Sequence, residues 1–264
     1  MQNAFYTAVN SKDARKTIEA GRALAAKEPD NSAIYLLTAY TAYNGVVTKG
    51  SPVYQDPAVM AETVAAANRA IEMIQAGKEP KDISGKVSWA PFKGREDALA
   101  WANFWAGTLQ YKTAPEAAVK QLIAVAQSNV AEVKEQPTVY TVIAAALEGE
   151  RAALAQKYTA TCKELTPECE VMLANLNQFV DRQIDAYARA VAFAKADDPR
   201  RAEWMNILKE LYKSRNNNSE AGLDAKIAGI KTTPLLLTTP VTTAPAVPAN
   251  GNGNQPAATA EKKP

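Results

Sequence analysis

Ala20-Gly21-Arg22-Ala23-Leu24-Ala25-Ala26-Lys27-Glu28-Pro29-Asp30-Asn31, followed by Ile34-Tyr35-Leu36-Leu37 and Tyr40, decides the fold class. The first part is an alanine-rich amphipathic run, and alanine is the best helix former and permits close helix packing. It stops at Pro29-Asp30-Asn31, a turn in which proline breaks one helix and Asp or Asn caps the next. A second helix with an aromatic and aliphatic face begins at once.

The same punctuation recurs outward along the chain. Ser11 is placed to cap the first of these helices, through about Lys27, and Asp30 or Asn31 the second, through about Asn44. Asp56-Pro57 sets a capping aspartate before a proline at the first helical position. Behind it Met60, Val64, Ala67, Ile71 and Ile74 form a helical stripe. Thr113-Ala114-Pro115-Glu116 reads as a capping box, followed by Val119, Leu122, Ile123, Ala126 and Val130. Thr166-Pro167 and Asp198-Pro199 repeat the cap-then-proline signal. Leu173, Leu176, Val180, Ile184, Tyr187, Val191 and Ala194 form the longest stripe, either one helix or two meeting near Asp181. Trp204, Ile207, Leu208, Leu211 and Tyr212 have core-facing helical spacing, and Ser219 is placed to cap a last short helix with Leu223, Ile227 and Ile230. No segment shows sustained period-two alternation. The expected fold is all-α, with about ten helices.

The stretch from Asp13 to Lys231 resembles the tetratricopeptide repeat family, whose first helix carries a bulky residue, a Leu-Gly pair and an aromatic at fixed spacing. Tyr140, Ile143, Ala144 and Leu147 match those slots with alanine in place of glycine. Ile34, Leu37, Thr38 and Thr41 match loosely, and Trp204, Ile207, Leu208 and Leu211 match except at the small position. Pro29, Pro137, Pro167 and Pro199 stand where that family ends its second helix. The resemblance implies a solenoid of stacked helix pairs that holds other molecules rather than performing chemistry. In peptide-binding members the concave groove is lined by each first helix. Projected here, that gives Tyr35, Ala39, Ala42, Thr141, Ala145, Glu148, Lys209 and Tyr212, a small and neutral set, unlike the basic set that grips a peptide carboxylate.

Two segments interrupt the pattern. Residues 77–95 are too long for a repeat turn and carry Trp89 and Phe92, which either tuck against the core or meet a partner. Trp101, Trp105 and Tyr111, on the helix that follows, are further candidates for the groove. From residue 232 to 264 the composition shifts to Thr, Pro, Ala, Gly and Asn, so the organisation reads as a helical domain, 1–231, and a disordered tail. Leu235-Leu236-Leu237 and Val241 belong to a solvated linker in the simplest reading; the alternatives are docking on the array or on a neighbouring chain.

Composition removes several functions. The chain has no histidine and two cysteines, which excludes Ser-His-Asp and Cys-His catalysis, His-ligated zinc or haem, and a Cys-only zinc site within one chain. A net charge of +2 without a basic stripe argues against nucleic acid. No apolar run approaches a membrane span, and Met1-Gln2-Asn3-Ala4-Phe5 does not read as a signal peptide. No cofactor or metal is expected.

Cys162 and Cys169 bracket one inter-helix turn, a spacing that brings their Cα atoms near bonding range. A disulfide there implies an oxidising compartment, with two inert cytosolic thiols as the alternative. Asp181 and Asp185 share a helix face and read as solvated salt-bridging partners of Arg182 or Arg189. Asn217-Asn218-Ser219 matches the glycosylation acceptor pattern.

The expected function is a non-catalytic scaffold for a protein or peptide, exported to a bacterial periplasm or outside the cell, with a cytoplasmic location as the alternative. The candidate groove residues are Tyr35, Trp101, Trp105, Thr141, Glu148, Lys209 and Tyr212. A self-assembling subunit that uses the array ends or the tail is the second reading, and a carboxylate-based enzyme the third.

Overall fold

The computed structural model describes residues 1–243; residues 244–264, most of the tail expected to be disordered, lie outside the described residues. Eleven α-helices and one 3₁₀ turn make up the regular structure among the described residues, which hold no strand beyond an isolated antiparallel bridge between Lys81 and Val87. No helix among them is long and apolar enough to cross a membrane. The chain divides into two compact units, Met1–Val142 and Ile143–Pro264.

The first unit contains α1 (Gln2–Asn10), α2 (Ala14–Ala25), α3 (Ser32–Val47), α4 (Pro57–Gln75), α5 (Arg95–Gln110), α6 (Pro115–Gln127) and α7 (Ala131–Lys134), and ends inside α8 (Pro137–Thr161). Each helix from α1 to α6 packs on the next in sequence, and α1 on α3, α2 on α4 and α3 on α5 as well. The core is rich in alanine: Ala39, Ala42, Ala67, Ala70, Ala98, Ala102 and Ala106 are wholly buried beside Phe5, Ile34, Leu36, Ile74 and Leu122. Small residues let helix axes approach closely. A Cβ on Gly21 of α2 would stand 2.5 Å from Thr38 Oγ1 of α3 and 3.3 Å from Phe5, so this crossing requires glycine. Among its buried polar groups is an amide relay, in which Gln110 of α5 donates to Gln121 of α6 and Gln121 donates to Asn68 of α4 at 2.6 Å.

Asn31, Asp56 and Thr166 cap α3, α4 and α9 by accepting from backbone amides. Four expected caps are not formed: the helices Arg201–Arg215 and Leu223–Gly229 start at Arg200 and Gly222 with no side-chain cap, in place of Asp198 and Ser219. Asp13, not Ser11, caps α2, because the Ser11 hydroxyl donates back to the Ala8 carbonyl at the end of α1, a helix the sequence pattern did not reveal. Thr113 likewise donates to Gln110, leaving α6 without a side-chain cap and the capping box unmade. Pro137 and Pro167 open α8 and α9, whereas Pro29 and Pro199 lie in turns.

The segment between α4 and α5 is a pinned loop. Arg95 donates to the Ile74 carbonyl at 2.9 Å and Ser32 to the Lys78 carbonyl at 3.2 Å, and Phe92 follows a cis Ala90–Pro91 bond into the core.

In the second unit α9 (Pro167–Phe193) is one continuous helix through Asp181, and α10 (Arg201–Arg215), α11 (Leu223–Gly229) and the 3₁₀ turn (Ile230–Thr232) pack on it. Cys162 and Cys169 form a disulfide with a Cα–Cα distance of 5.6 Å, joining the end of α8 to the first turn of α9.

Candidate functional site

The sequence of α3 buries one face and leaves another half open. Leu36, Ala39 and Val46 are core, while Leu37, Tyr40, Thr41, Asn44, Gly45 and Thr48 follow the i, i+3, i+4, i+7, i+8, i+11 pattern of a single stripe. That stripe is the floor of a groove of about 910 Å³ in the first unit. One wall is α1 with Lys12, supplying Tyr6, Val9 and Asn10. The other is loop backbone, with Ser51 and Pro52 before α4 and Ala90 and Pro91 of the pinned loop.

The lining combines aliphatic groups from Val9, Leu37, Pro52, Ala90 and Pro91 with aromatic, hydroxyl and amide groups. It contains no carboxylate, and Lys12, held at φ 57°, is its one charged residue. Tyr40 is 37% exposed, and its ring is braced edge-on by Phe92 at 6.1 Å and tilted against Trp105 at 5.9 Å. Tyr6 donates to the Lys81 carbonyl at 3.3 Å. Burial, then the charges of Asp82 and Glu28, push its phenol above the ordinary value. The Thr41 hydroxyl is buried without a hydrogen-bond partner, although Thr38 in the same helix donates to Ile34 at 2.6 Å.

The structure brings Phe92, Trp101 and Trp105 together with Tyr40, Tyr43 and Phe104 in one aromatic cluster behind this groove. Trp105 is 2% exposed and Phe92 9%, so both rings support the groove from the core rather than line it. Tyr35 packs on the Phe5–Leu24–Ile34–Leu37 cluster, with the Arg69 guanidinium 6.0 Å above its ring. Trp89 is half-buried in the loop, and Thr141 is half-buried on α8, its hydroxyl donating to Thr138.

The other predicted residues belong to the second unit. Glu148 accepts from Arg151 and from the buried Gln183 amide at 2.8 Å. Lys209 pairs with Glu220 at 3.4 Å, and Tyr212 donates to the Ala221 carbonyl at 3.0 Å. Asp185 and Arg189 differ from the solvated pairing expected of them: their side chains are 6% and 5% exposed, 2.9 Å apart. Asp181 pairs with Arg215 of α10 instead of a helix neighbour.

Sequence reasoning missed Tyr6, Lys12, Tyr40 and Asn44 as groove residues. The polar-aromatic stripe of α3 was the available signal for Tyr40 and Asn44, whereas Tyr6 and Lys12 join them only through tertiary packing.

No protein-family model matches the chain, and neither does any curated protein or solved structure.

Proposed function

We propose that the protein is a non-catalytic scaffold of tetratricopeptide-like helix pairs that holds a peptide or protein segment in the groove of its first unit. The observation that carries this reading is the α3 stripe itself: a braced Tyr40 and the exposed Asn44 amide on one helix face, with no carboxylate among the lining residues. A concave surface of aromatic faces and neutral polar groups favours a segment that offers apolar side chains and main-chain hydrogen bonds. The in-order packing of α1 to α6 supports the helix-pair stack. The disulfide supports an oxidising location, the periplasm or the cell exterior.

Selection of displayed random peptides on the full chain tests the reading. Enriched peptides are expected to lose at least about tenfold in affinity, roughly 1.4 kcal/mol, for Asn44→Ala and Tyr40→Ala. Failure to enrich any peptide, or equal binding by both variants, overturns it.

A further inference from the structure

Residues 233–241 are docked on α9, not the solvated linker expected of them: Arg189 donates to the carbonyls of Thr233 at 2.9 Å and Pro234 at 2.6 Å, and Asn175 accepts from the Val241 amide at 2.8 Å. The chain itself occupies that face. The groove of the first unit is open, and its two ends differ in chemistry. α1 runs parallel to α3. Phe5 packs on Ile34 and Leu37 in the first half of α3, whereas Ala14, just after α1, has its Cβ 3.0 Å from where a Cβ on Gly45 would stand, near the end of α3. The lining divides accordingly. Tyr6, Leu37, Tyr40, Ala90 and Pro91 make an apolar end, where Phe92 and Trp105 brace the Tyr40 ring at 6.1 and 5.9 Å. Asn10, Lys12, Asn44, Thr48 and Ser51 make a polar end.

Lys12 gives the polar end its sign. Its side chain is exposed and forms no ion pair among the described residues. Its backbone, at φ 57°, is fixed by the Lys12 amide donating to the Val9 carbonyl at 3.0 Å. The carboxylates that cap the two flanking helices are already neutralised, Asp13 by Lys16 at 3.0 Å and Asp56 by Arg15. The C-termini of α1 and α3 gather at this end with the N-termini of α2 and α4, so the helix dipoles offset one another and the ammonium is left as the uncompensated charge. Its neighbours are neutral donors. Asn44 Nδ2 gives one hydrogen to the Tyr40 carbonyl at 2.9 Å and keeps the other. The Asn10 and Thr48 side chains are exposed and make no hydrogen bond among the described residues. Every one of these groups donates to an anion, and none of them is one.

We infer that the groove takes a partner segment in which a bulky apolar residue and an aspartate or glutamate stand roughly three or four positions apart, the apolar side chain on Tyr40 and Pro91 and the carboxylate at Lys12. This rests on the peptide-holding reading above and adds to it the charge and register of the occupant. The register comes from α3. Tyr40 to Thr48 spans about 12 Å at 1.5 Å per residue. Three or four residues of extended chain cover that length at roughly 3.3 Å each. The charge comes from complementarity. A cationic side chain meets Lys12 with the same sign, and a neutral one leaves the ammonium and its neighbouring donors without the charge-assisted bonds that a carboxylate accepts. The apolar end supplies the burial, and the ion pair fixes which way the segment lies in the groove.

Random peptides displayed without a free carboxyl end and selected on the full chain test this. The enriched sequences are expected to carry Asp or Glu three or four positions from Leu, Phe or Trp. Remade as amidated synthetic peptides, they are expected to lose at least about tenfold in affinity when glutamine replaces that glutamate. Lys12→Glu should cause the same loss without lowering the melting temperature, because its side chain is exposed. A peptide with lysine in place of the acid should bind Lys12→Glu at least about tenfold more tightly than the wild type. Enriched peptides without the spacing, or with equal affinity for the acid and amide forms, overturn this inference. The groove reading then stands if Tyr40→Ala and Asn44→Ala still weaken those peptides. Enrichment of no peptide overturns both. Octanoate that displaces the peptides and binds as tightly as they do assigns the groove to a small amphiphile and overturns the segment as its occupant.

Discussion

Asn31 grips Lys81 by both ends of its amide: its Oδ1 accepts from the Lys81 amide at 3.0 Å, and its Nδ2 donates to the Lys81 carbonyl at 3.2 Å. The same Oδ1 accepts from Ala33 at 3.1 Å as the cap of α3. One side chain therefore starts the helix that floors the groove and fastens the loop that reaches the groove wall at Ala90 and Pro91. Asn31→Ala removes a cap worth about 1 kcal/mol and two loop bonds worth about 1 kcal/mol each. The expected loss is about 2–3 kcal/mol in urea unfolding, with faster amide exchange at Lys81. Asn31→Asp keeps the cap acceptor but sets a carboxylate oxygen against the Glu28 carboxylate, to which Nδ2 donates at 3.1 Å, and against the Lys81 carbonyl, so its loss should be comparable.

Two helix-interior glycines should respond to alanine with opposite signs. At Gly107 of α5 an added Cβ would lie 2.7 Å from Leu122 Cγ and 2.9 Å from its Cδ2, on the closely packed α6. Overpacking of this kind costs about 1–3 kcal/mol. At Gly149 of α8 nothing lies within 4 Å, so alanine brings only its better helix propensity, a gain of about 0.5–1 kcal/mol. Thermal unfolding of the two variants beside the wild type gives both signs in one experiment.

Helix identity was legible in the sequence because it is a local property. Asn31, Asp56 and Thr166 sit before helix formers and cap them as their residue types predict. Ser11 and Thr113 were misread because a hydroxyl serves the preceding carbonyl as readily as the following amide, and only the chain path decides between them. The groove was not legible, since Tyr6, Lys12 and Pro91 meet Tyr40 only through tertiary packing. Asp185 and Arg189 show the same limit: their i, i+4 spacing marks a pair on any helix, but the segment 233–241 that covers them lies 44 or more residues away in sequence.

The disulfide makes stability depend on redox state. Closing the short loop from Cys162 to Cys169 is worth about 2.5 kcal/mol in the chain-entropy account. Reductant is expected to lower the unfolding free energy by about that amount and to speed amide exchange at the end of α8 and the start of α9. Unreduced, denatured protein should show no free thiol. Two free thiols, or no change with reductant, would contradict the bond.

Glu148 provides a titration with a definite sign. Burial raises its pKa, but hydrogen bonds from Arg151 and Gln183 and the Arg151 charge outweigh it, so the net value lies below the ordinary one. A carboxylate depressed in the folded state stabilises above its unfolded pKa and loses that contribution as pH falls through the folded value. Its side chain is 49% exposed, so solvent screening confines the contribution to a few tenths of a kcal/mol. Carboxyl-carbon NMR reads it directly. The Glu148 midpoint is expected below that of a free glutamate and should move up in Arg151→Ala, which removes the bidentate partner at 2.6 and 3.0 Å. A midpoint at the ordinary value in both proteins would show that the pairing does not persist in solution. The Gln183 amide, buried and donating to both Glu148 and the Ala144 carbonyl, would then depend on the carbonyl alone.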